Sequence, residues 1–235
     1  MFERFGRRSY ELEHLDKGDY TDEEYEGCIV ELQRVNRYLG DARAMRRSVL
    51  AEIERVGLRE FSLLDVGAGS GELLRVAARW AEESGRRARL TGLELNERSC
   101  RAILEESKSF SFISAVRGDA LRLPFADRSF DYTMCSLFTH HLRDEQVKTV
   151  LSEMARVARR GIFVIDLHRH PVAYYLYTTA GRLLLHNRLI REDGALSILR
   201  SFRPEELLSL AASTHLQDVK VRRRFPFRLV LSAGK

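Results

Sequence analysis

Two adjacent histidines and one aspartate stand where the pattern of the chain would let them do acid–base chemistry. His140 and His141 follow FDYTMCSL, a predicted strand, and Asp166 lies at the end of GIFVIDL, another predicted strand. An imidazole beside a bound hydroxyl can take its proton at neutral pH, and a carboxylate can orient that imidazole. We therefore predict that at least one histidine is a general base and that Asp166 opens onto the same cleft. The alternative is that one histidine caps the following helix and Asp166 is structural.

A glycine-rich turn upstream of these residues indicates a ligand site. The segment LLDVGAGSGELL, residues 63–74, leads from an apolar strand through Gly67, Gly69 and Gly71 into a predicted helix. A dinucleotide fingerprint would require glycine or alanine where Glu72 stands, and a carboxylate there repels a pyrophosphate. The Gly-Lys-Ser/Thr sequence of a phosphate-binding loop does not follow. The turn therefore suits the close approach of a ligand without phosphate.

The elements that would position these residues alternate between strands and helices. Strands are predicted for FSLLDVG, ARLTGLEL, SFISAVRG, FDYTMCSL and GIFVIDL, with helical periodicity in most of the segments between them. This alternation predicts an α/β fold with a Rossmann-like, doubly wound sheet, helices on both faces and ligands at the carboxyl ends of the strands. The closing LQDVKVRRRFPFRLVLSAG predicts a hairpin, which gives seven strands with one antiparallel strand in a mostly parallel sheet.

Two regions depart from this alternation. Residues 1–57 predict an N-terminal helical cap, with helices over about 22–39 and 42–56, ahead of a domain that spans 58–235. Residues 171–201 are apolar and aromatic without a clear strand, and they predict an insertion that forms a lid over a substrate pocket. Ordinary core packing and an interfacial helix at a membrane are the alternatives for this insertion. Since no linker separates the parts, we expect a single structural unit.

Composition and charge narrow the class of protein. The chain has 235 residues, 44% of them apolar and 31% charged, which suffices for one buried core. It has no apolar run of about 20 residues that could span a membrane and no signal-peptide pattern, which predicts a cytoplasmic protein. Cys28, Cys100 and Cys135 lack metal-ligand spacing, so we expect reduced cysteines and no metal. The net charge of +5 is spread among acids, and this disfavours a nucleic-acid partner.

These motifs together resemble the small-molecule (type 11) group of class I S-adenosylmethionine-dependent methyltransferases, over about residues 60–167. The segment Asp65–Gly71 resembles the first motif of the family, Glu94 the acid that binds the ribose hydroxyls, and Asp119 the acid that receives the adenine amino group. The resemblance implies S-adenosylmethionine as cofactor and S-adenosylhomocysteine as product. The cofactor-binding residues that it implies are Asp65, Gly67, Ala68, Gly69, Gly71, Glu94, Leu95, Asp119, Ala120 and Ser136, with Arg37 of the N-terminal helix near the methionine carboxylate.

The same resemblance implies O-methylation of a small hydroxylated acceptor, such as a phenolic or polyketide-like natural product. His140, His141 and Asp166 would be its catalytic residues. Methylation of RNA or protein is the alternative, but members of the fold that methylate nucleic-acid amino groups usually carry Asn/Asp-Pro-Pro-aromatic where this chain has Cys135-Ser136-Leu137-Phe138. A third hypothesis is a non-enzymatic sensor or partner subunit that binds the cofactor without turnover. We expect a monomer or a homodimer.

Overall fold

One seven-stranded sheet organises the computed structural model, which describes residues 3–21, 23–24, 27–28, 31 and 40–234. The strands are β1 Glu60–Val66, β2 Arg87–Glu94, β3 Ile113–Arg117, β4 Phe130–Ser136, β5 Ala158–Leu167, β6 Gln217–Arg224 and β7 Arg228–Gly234. Their order is β3-β2-β1-β4-β5-β7-β6, and β7 runs antiparallel to both of its neighbours while the other pairs are parallel. The predicted Rossmann-like α/β sheet with one antiparallel strand is confirmed.

Helices connect the strands and flank the sheet. They are α1 His14–Lys17, α2 Asp41–Met45, α3 Ala51–Arg55, α4 Glu72–Glu83, α5 Glu97–Glu106, α6 Asp144–Val157, α7 Pro171–Leu184, α8 Arg188–Arg200 and α9 Pro204–Ala212. A π-helical turn over Arg46–Leu50 joins α2 to α3, so the helix predicted over 42–56 is continuous. The helix predicted over 22–39 lies largely outside the described residues. Within the described part of the chain, no helix is both long and apolar enough to span a membrane.

The core is divided by the sheet into two apolar layers. Leu63 of β1 packs in a cluster with residues of α2, α4 and α5, and the next residue, Leu64, packs in a second cluster with residues of α6 and α9. Successive side chains of a strand point to opposite faces, so a strand covered by helices on both sides must be apolar throughout. Burying each such leucine contributes about 1.5–3 kcal/mol, and this burial fixes the strand ends that carry the polar residues.

Residues 171–201 form two helices, α7 and α8. The ring of His170 accepts a hydrogen bond from the Val172 N–H, and Pro171 occupies the first turn, so the start of α7 is well capped. Helix α8 contacts the N-terminal segment, because the Asp193 carboxylate accepts the backbone N–H groups of His14 and Leu15 at 2.7 and 3.1 Å. The insertion is thus tied to the start of the chain. Its role as a lid stays a prediction.

Candidate active site

A cavity of about 1300 Å³ lies at the carboxyl ends of the central strands. Its walls include the glycine turn after β1, the end of β4, the turn that carries the two histidines, and the facing sides of α7 and α8. A pocket for one small ligand usually measures about 300–1,000 Å³. The cavity therefore has room for two small ligands beside each other, as a reaction between a cofactor and an acceptor requires.

His140 lines this cavity and is held from behind by Asp166. The Nδ1 atom of His140 lies 2.6 Å from Oδ1 of Asp166, and the His140 backbone N–H donates to Oδ2 at 3.0 Å. The hydroxyl of Thr139 and the backbone N–H of Leu167 donate to the same carboxylate at 2.5 and 2.7 Å. An ionised carboxylate can only accept, so Nδ1 carries the proton and Nε2 is the ring nitrogen that can receive another. The sequence-predicted pair is therefore assembled in the geometry of a general base and its orienting group.

The electrostatics of Asp166 agree with this geometry. Burial by itself would raise the pKa of Asp166, but the charge of His140 and the hydrogen bonds from His140, Thr139 and Leu167 lower it to about 2. The carboxylate is thus ionised throughout the physiological range. A fixed negative charge against Nδ1 stabilises the imidazolium that forms when His140 takes a proton.

His141 lies beside His140 but has different surroundings. The two ring centroids are 4.2 Å apart, and Nδ1 of His141 lies 3.8 Å from Oε1 of Glu13, a buried residue of the N-terminal segment. Glu13 also accepts a hydrogen bond from the Ser197 hydroxyl at 2.8 Å. Glu13 could not be predicted from the sequence, since it follows no strand and belongs to no motif. His141 is partly exposed, so the more firmly held His140 is the better candidate for the base.

Glu13, His140 and His141 also form a group that has the ligand types of a metal site. Each offers one ligand atom, and these atoms lie within 4.8 Å of one another. Two histidines and one carboxylate can hold a divalent transition metal. The guanidinium of Arg200 lies 4.0 Å from Glu13 Oε1, however, and a cation at that position disfavours a second one. The absence of a metal stays a prediction.

Two arginines distant in sequence hold the backbone of the histidine turn. Arg200 of α8 donates from Nη2 to the carbonyl of His141 at 2.8 Å, and Arg8 donates from Nη2 to the carbonyl of Leu142 at 3.0 Å. Arg8 also pairs with Asp144 at 2.5 Å. Charge-assisted hydrogen bonds of this kind are stronger than neutral ones, so they fix the turn from two directions. Neither arginine was predicted, because only the tertiary fold brings them to the turn.

Asp65 is the acid of the glycine turn, and it faces the cavity without a partner. It is 2% exposed, and its Oδ1 atom has no hydrogen-bond partner among the described residues. Burial and the nearby charge of Glu94 raise its pKa to about 8. A buried, unpartnered polar atom is uncommon in a folded protein and costs free energy. Such a group suits a cationic ligand, which would restore its ordinary ionisation.

The glycine turn closes against Glu94. The Gly69 N–H donates to Oε1 of Glu94 at 2.5 Å, and burial raises the Glu94 pKa although the backbone N–H groups of Gly69 and Leu95 oppose the shift. Gly67 has a φ of +72°, and a Cβ on it would come 2.7 Å from the Phe138 ring, so only glycine fits there. A carboxylate has about four acceptor positions. Glu94 can therefore keep the Gly69 hydrogen bond while it accepts ligand hydroxyls.

The end of β4 carries a second feature that sequence reasoning did not identify. Leu137 has a φ of +50°, a left-handed conformation that is strained for a leucine, and it lines the cavity. The preceding Ser136 also lines the cavity, and its buried hydroxyl has no hydrogen-bond partner in the described part of the chain. Strained backbone and unpartnered polar atoms tend to occur at functional sites. Both observations support the predicted place of Ser136 in the cofactor site.

The other predicted site residues divide into two groups. Those that line the cavity, besides Asp65, Ser136, His140 and His141, are Gly67, Ala68 and Gly69. Those outside its lining are Asp166, which lies behind His140, together with Gly71, Glu94, Leu95, Asp119 and Ala120. Glu94 is the last residue of β2, Asp119 follows the adjacent strand β3, and Asp119 accepts the Leu121 N–H at 2.8 Å. Arg37 lies outside the described residues. These roles in cofactor binding stay predictions.

Comparison with known proteins finds a domain family that matches the part of the chain carrying the strand ends of the site. A methyltransferase domain family matches residues 64–165, which run from β1 to β5. These residues are a class I methyltransferase domain. Demethylmenaquinone methyltransferase of Bacillus licheniformis is 34% identical over 104 residues, which cover 44% of this chain and 43% of that protein. The chain therefore spans less than half the length of the curated relatives that it matches.

Solved structures resemble the methyltransferase domain and its surroundings in fold. A methyltransferase from Aquifex aeolicus has a TM-score of 0.60 at 14% identity and covers 86% of this chain and 97% of its own. Magnesium protoporphyrin IX methyltransferase from Synechocystis with bound S-adenosylhomocysteine has a TM-score of 0.58 at 16% identity and covers 84% of both chains. The domain match supports S-adenosylmethionine as cofactor and S-adenosylhomocysteine as product. The unpartnered Asp65 and the open glycine turn fit such a ligand.

Proposed function

We propose that this chain transfers the methyl group of S-adenosylmethionine to a hydroxyl oxygen of a small, largely apolar acceptor. The observation that carries this proposal is the position of His140. Its Nδ1 is fixed by the ionised Asp166, and its ring forms part of the cavity wall that also includes the glycine turn. A base placed in this way serves an acceptor that must lose a proton as it is methylated.

The residues around the cavity have two tasks in such a reaction. The cofactor, when bound, supplies an electrophilic methyl group on a positively charged sulfur. The first task of the protein is alignment, and holding the acceptor in line can supply several kcal/mol of rate acceleration. The second task is proton removal: His140 receives the hydroxyl proton at Nε2, while Asp166 holds the resulting imidazolium through Nδ1. Arg8 and Arg200 keep the turn in place during both.

The walls of the cavity favour an apolar acceptor. Helices α7 and α8 and the segment between them contribute mostly aliphatic and aromatic side chains, namely Ala173, Leu176, Tyr177, Leu185, Leu189, Ile190 and Ile198. Two charged residues of the wall, Asp41 and Arg228, pair with each other at 2.6 and 3.0 Å. A sugar would leave many hydroxyl groups without partners against such walls, which is costly. A phenol or a polyketide-like ring with one or two hydroxyls fits this lining better.

One comparison supports a second acceptor class. The Bacillus licheniformis relative is a methyltransferase of demethylmenaquinone, and its 34% identity over 104 residues supports a quinone-type ring as the acceptor here. The match covers less than half of this chain, so it is no evidence that the acceptor-binding walls formed by α7 and α8 resemble those of the relative. For RNA or protein as acceptor we find less support. Cys135 in particular is fully buried and burial raises its pKa, which argues against a nucleophilic cysteine.

A labelled-methyl transfer assay with the full chain tests the proposal. Labelled S-adenosylmethionine is supplied with separate pools of phenols, polyketide-like rings, quinone precursors, sugars, RNA and protein. We expect label in a phenol, polyketide-like or quinone-precursor pool, and degradation of the product locates the methyl group on oxygen. Label that appears only in RNA or protein would overturn the small-molecule assignment. Tight binding of S-adenosylhomocysteine with no label in any pool would favour the sensor hypothesis instead.

A further inference from the structure

The hairpin of β6 and β7 carries a basic and aromatic cluster next to its turn. Lys220, Arg222 and Arg223 are exposed, Arg224 is half-buried, and Phe225 is 78% exposed. No ion pair joins any of these four cations to an acid within the described part of the chain. An exposed phenylalanine beside cations without acidic partners suits a partner that is anionic at its surface and apolar inside.

Helix α7 adds an apolar stripe to the cluster. Val172, Tyr175 and Leu176 are 49%, 44% and 56% exposed, and their spacing of three and four residues places them on one side of the helix. The start of α7 lies next to the hairpin turn, because the ring of His170, which precedes the helix, lies 5.4 Å from the Phe227 ring. We call the cluster and the stripe together the basic–apolar surface.

The basic–apolar surface borders the cavity. Leu176 and Ala180 of α7 are exposed and at the same time line the cavity, so the cavity opens along this helix. Pro226 and Phe227, which follow the exposed Phe225 in the turn, line the cavity as well. An apolar acceptor that entered between α7 and the hairpin turn would pass directly from the partner on the basic–apolar surface into the cavity.

We infer that the basic–apolar surface docks on an anionic lipid bilayer. Phe225 and the stripe of α7 would lie at the boundary of headgroups and acyl chains, and Lys220 and Arg222, which lie on one face of β6, would contact the lipid phosphates. The apolar acceptor in this inference rests on the proposed function, whereas the surface itself does not. A nucleic acid suits the surface less well, because the aliphatic Val172 and Leu176 offer no ring for base stacking.

Vesicle co-sedimentation of the full chain tests the docking. Vesicles of phosphatidylcholine mixed with phosphatidylglycerol should bind the chain, and vesicles of phosphatidylcholine alone should bind it far more weakly. Because each cation near an anionic surface strengthens binding about fivefold, the double substitution Lys220→Gln with Arg222→Gln should weaken it about 25-fold. Phe225→Ser should weaken it about tenfold or more through lost apolar burial. High salt should weaken the binding of the parent chain.

The matched control variants remove two exposed cations, or one exposed apolar side chain, at positions outside the basic–apolar surface. Arg79→Gln with Lys108→Gln removes two exposed cations of α4 and of the loop after α5, and Leu104→Ser removes an exposed leucine of α5. Both controls should bind vesicles like the parent. Equal binding by all variants, binding that ignores phosphatidylglycerol, or binding of RNA in place of vesicles would overturn the inference. Calorimetric titration with S-adenosylhomocysteine reports the proposed function separately, and all of these variants should keep the parent affinity.

Discussion

Asp65 and Asp166 are two buried carboxylates at the same edge of the sheet, and they have opposite properties. Asp65 lies near the end of β1 and Asp166 near the end of β5, with 2% and 0% of their surface exposed. Asp65 has an oxygen without a hydrogen-bond partner among the described residues and a pKa raised to about 8. Asp166 accepts hydrogen bonds from Thr139, His140 and Leu167, and its pKa is lowered to about 2.

Since the burial is the same, the difference comes from the partners. The fold supplies Asp166 with hydrogen-bond donors, so its charge is stabilised before any ligand binds. Asp65 lines the open cavity and lies near the negative charge of Glu94. The ionised form of Asp65 is therefore stabilised only when a ligand brings a positive charge. Under the proposed function, Asp166 belongs to a catalytic pair that is assembled without ligand, whereas Asp65 belongs to a binding site that the cofactor completes.

The largest effect should come from His140→Ala, which removes the proton acceptor. We expect kcat to fall about 10²- to 10⁴-fold while the affinity for S-adenosylhomocysteine stays near that of the parent, because a general base acts on the chemical step. A phenol acidic enough to be ionised at the assay pH should lose little. His186→Ala changes a histidine that is 89% exposed and is the matched control. Full rate on a neutral acceptor across pH 6 to 9 would show that His140 is structural.

Asp166→Asn should have a smaller effect on rate and a clear effect on stability. The amide keeps the size of the side chain but loses the charge against His140, so we expect kcat to fall about 10²-fold and the free energy of unfolding to fall by about 3 kcal/mol at pH 7. Because the folded-state pKa of Asp166 is about 2 and the usual value is 3.8, this stabilisation is present above about pH 4 and is lost toward pH 2. Urea unfolding of both proteins at several pH values measures it; a difference that persists at pH 2 would contradict the assignment.

The sequence could predict the strand ends and, through the family resemblance, different roles for their two aspartates, but it could not predict their opposite hydrogen bonding and pKa shifts. Asp65 and Asp166 stand in similar surroundings, LLDV and VIDL, because a buried strand that ends at a site has the same local pattern in both cases. His140, His141 and Asp166 were predicted to share a cleft because they lie at the carboxyl ends of two strands, which pair in parallel in the sheet, but which histidine contacts Asp166 became visible only in the fold.

Other parts of the site depend on contacts between distant segments, which no local pattern encodes. Arg8 reaches the carbonyl of Leu142 from the N-terminal segment, and Glu13 reaches His141 in the same way. The insertion over 171–201 was apolar without a clear period, so its two helices became visible only in the fold. The division into a cap and a domain, the monomer or homodimer and the cytoplasmic location stay predictions.

Glu94→Ala tests the predicted cofactor-binding site that Glu94 shares with Asp65. Because two charge-assisted hydrogen bonds to ribose hydroxyls would be lost, we expect S-adenosylhomocysteine affinity to fall by about 2 to 3 kcal/mol with kcat less affected. The substitution also removes the negative charge beside Asp65, so the pKa of Asp65 should move down from about 8. Glu105→Ala changes an exposed acid of α5 and serves as control. Unchanged affinity by calorimetric titration would remove Glu94 from the site.

Asp65→Asn should give the smallest effect on kcat and the most informative pH dependence. The folded protein keeps a proton on Asp65 up to a pKa of about 8, whereas the unfolded chain loses it near 3.8, so the free energy of unfolding should fall as pH rises between these values and level off above them. The substituted chain lacks this titration and should therefore be more stable than the parent at pH 8, with a difference that shrinks toward pH 4. Ligand binding should show the opposite trend with pH, provided that the cationic amino group of the ligand pairs with the ionised Asp65. The affinity of the parent for S-adenosylhomocysteine should then rise from pH 6 to pH 8, by less than tenfold per pH unit. The affinity of the variant should not change over this range. Thermal unfolding and calorimetric titration across this range measure both trends. A parent affinity that does not change with pH would mean that Asp65 has no cationic partner in the complex, and the contrast with Asp166 would then reflect an uncompensated cost of the fold.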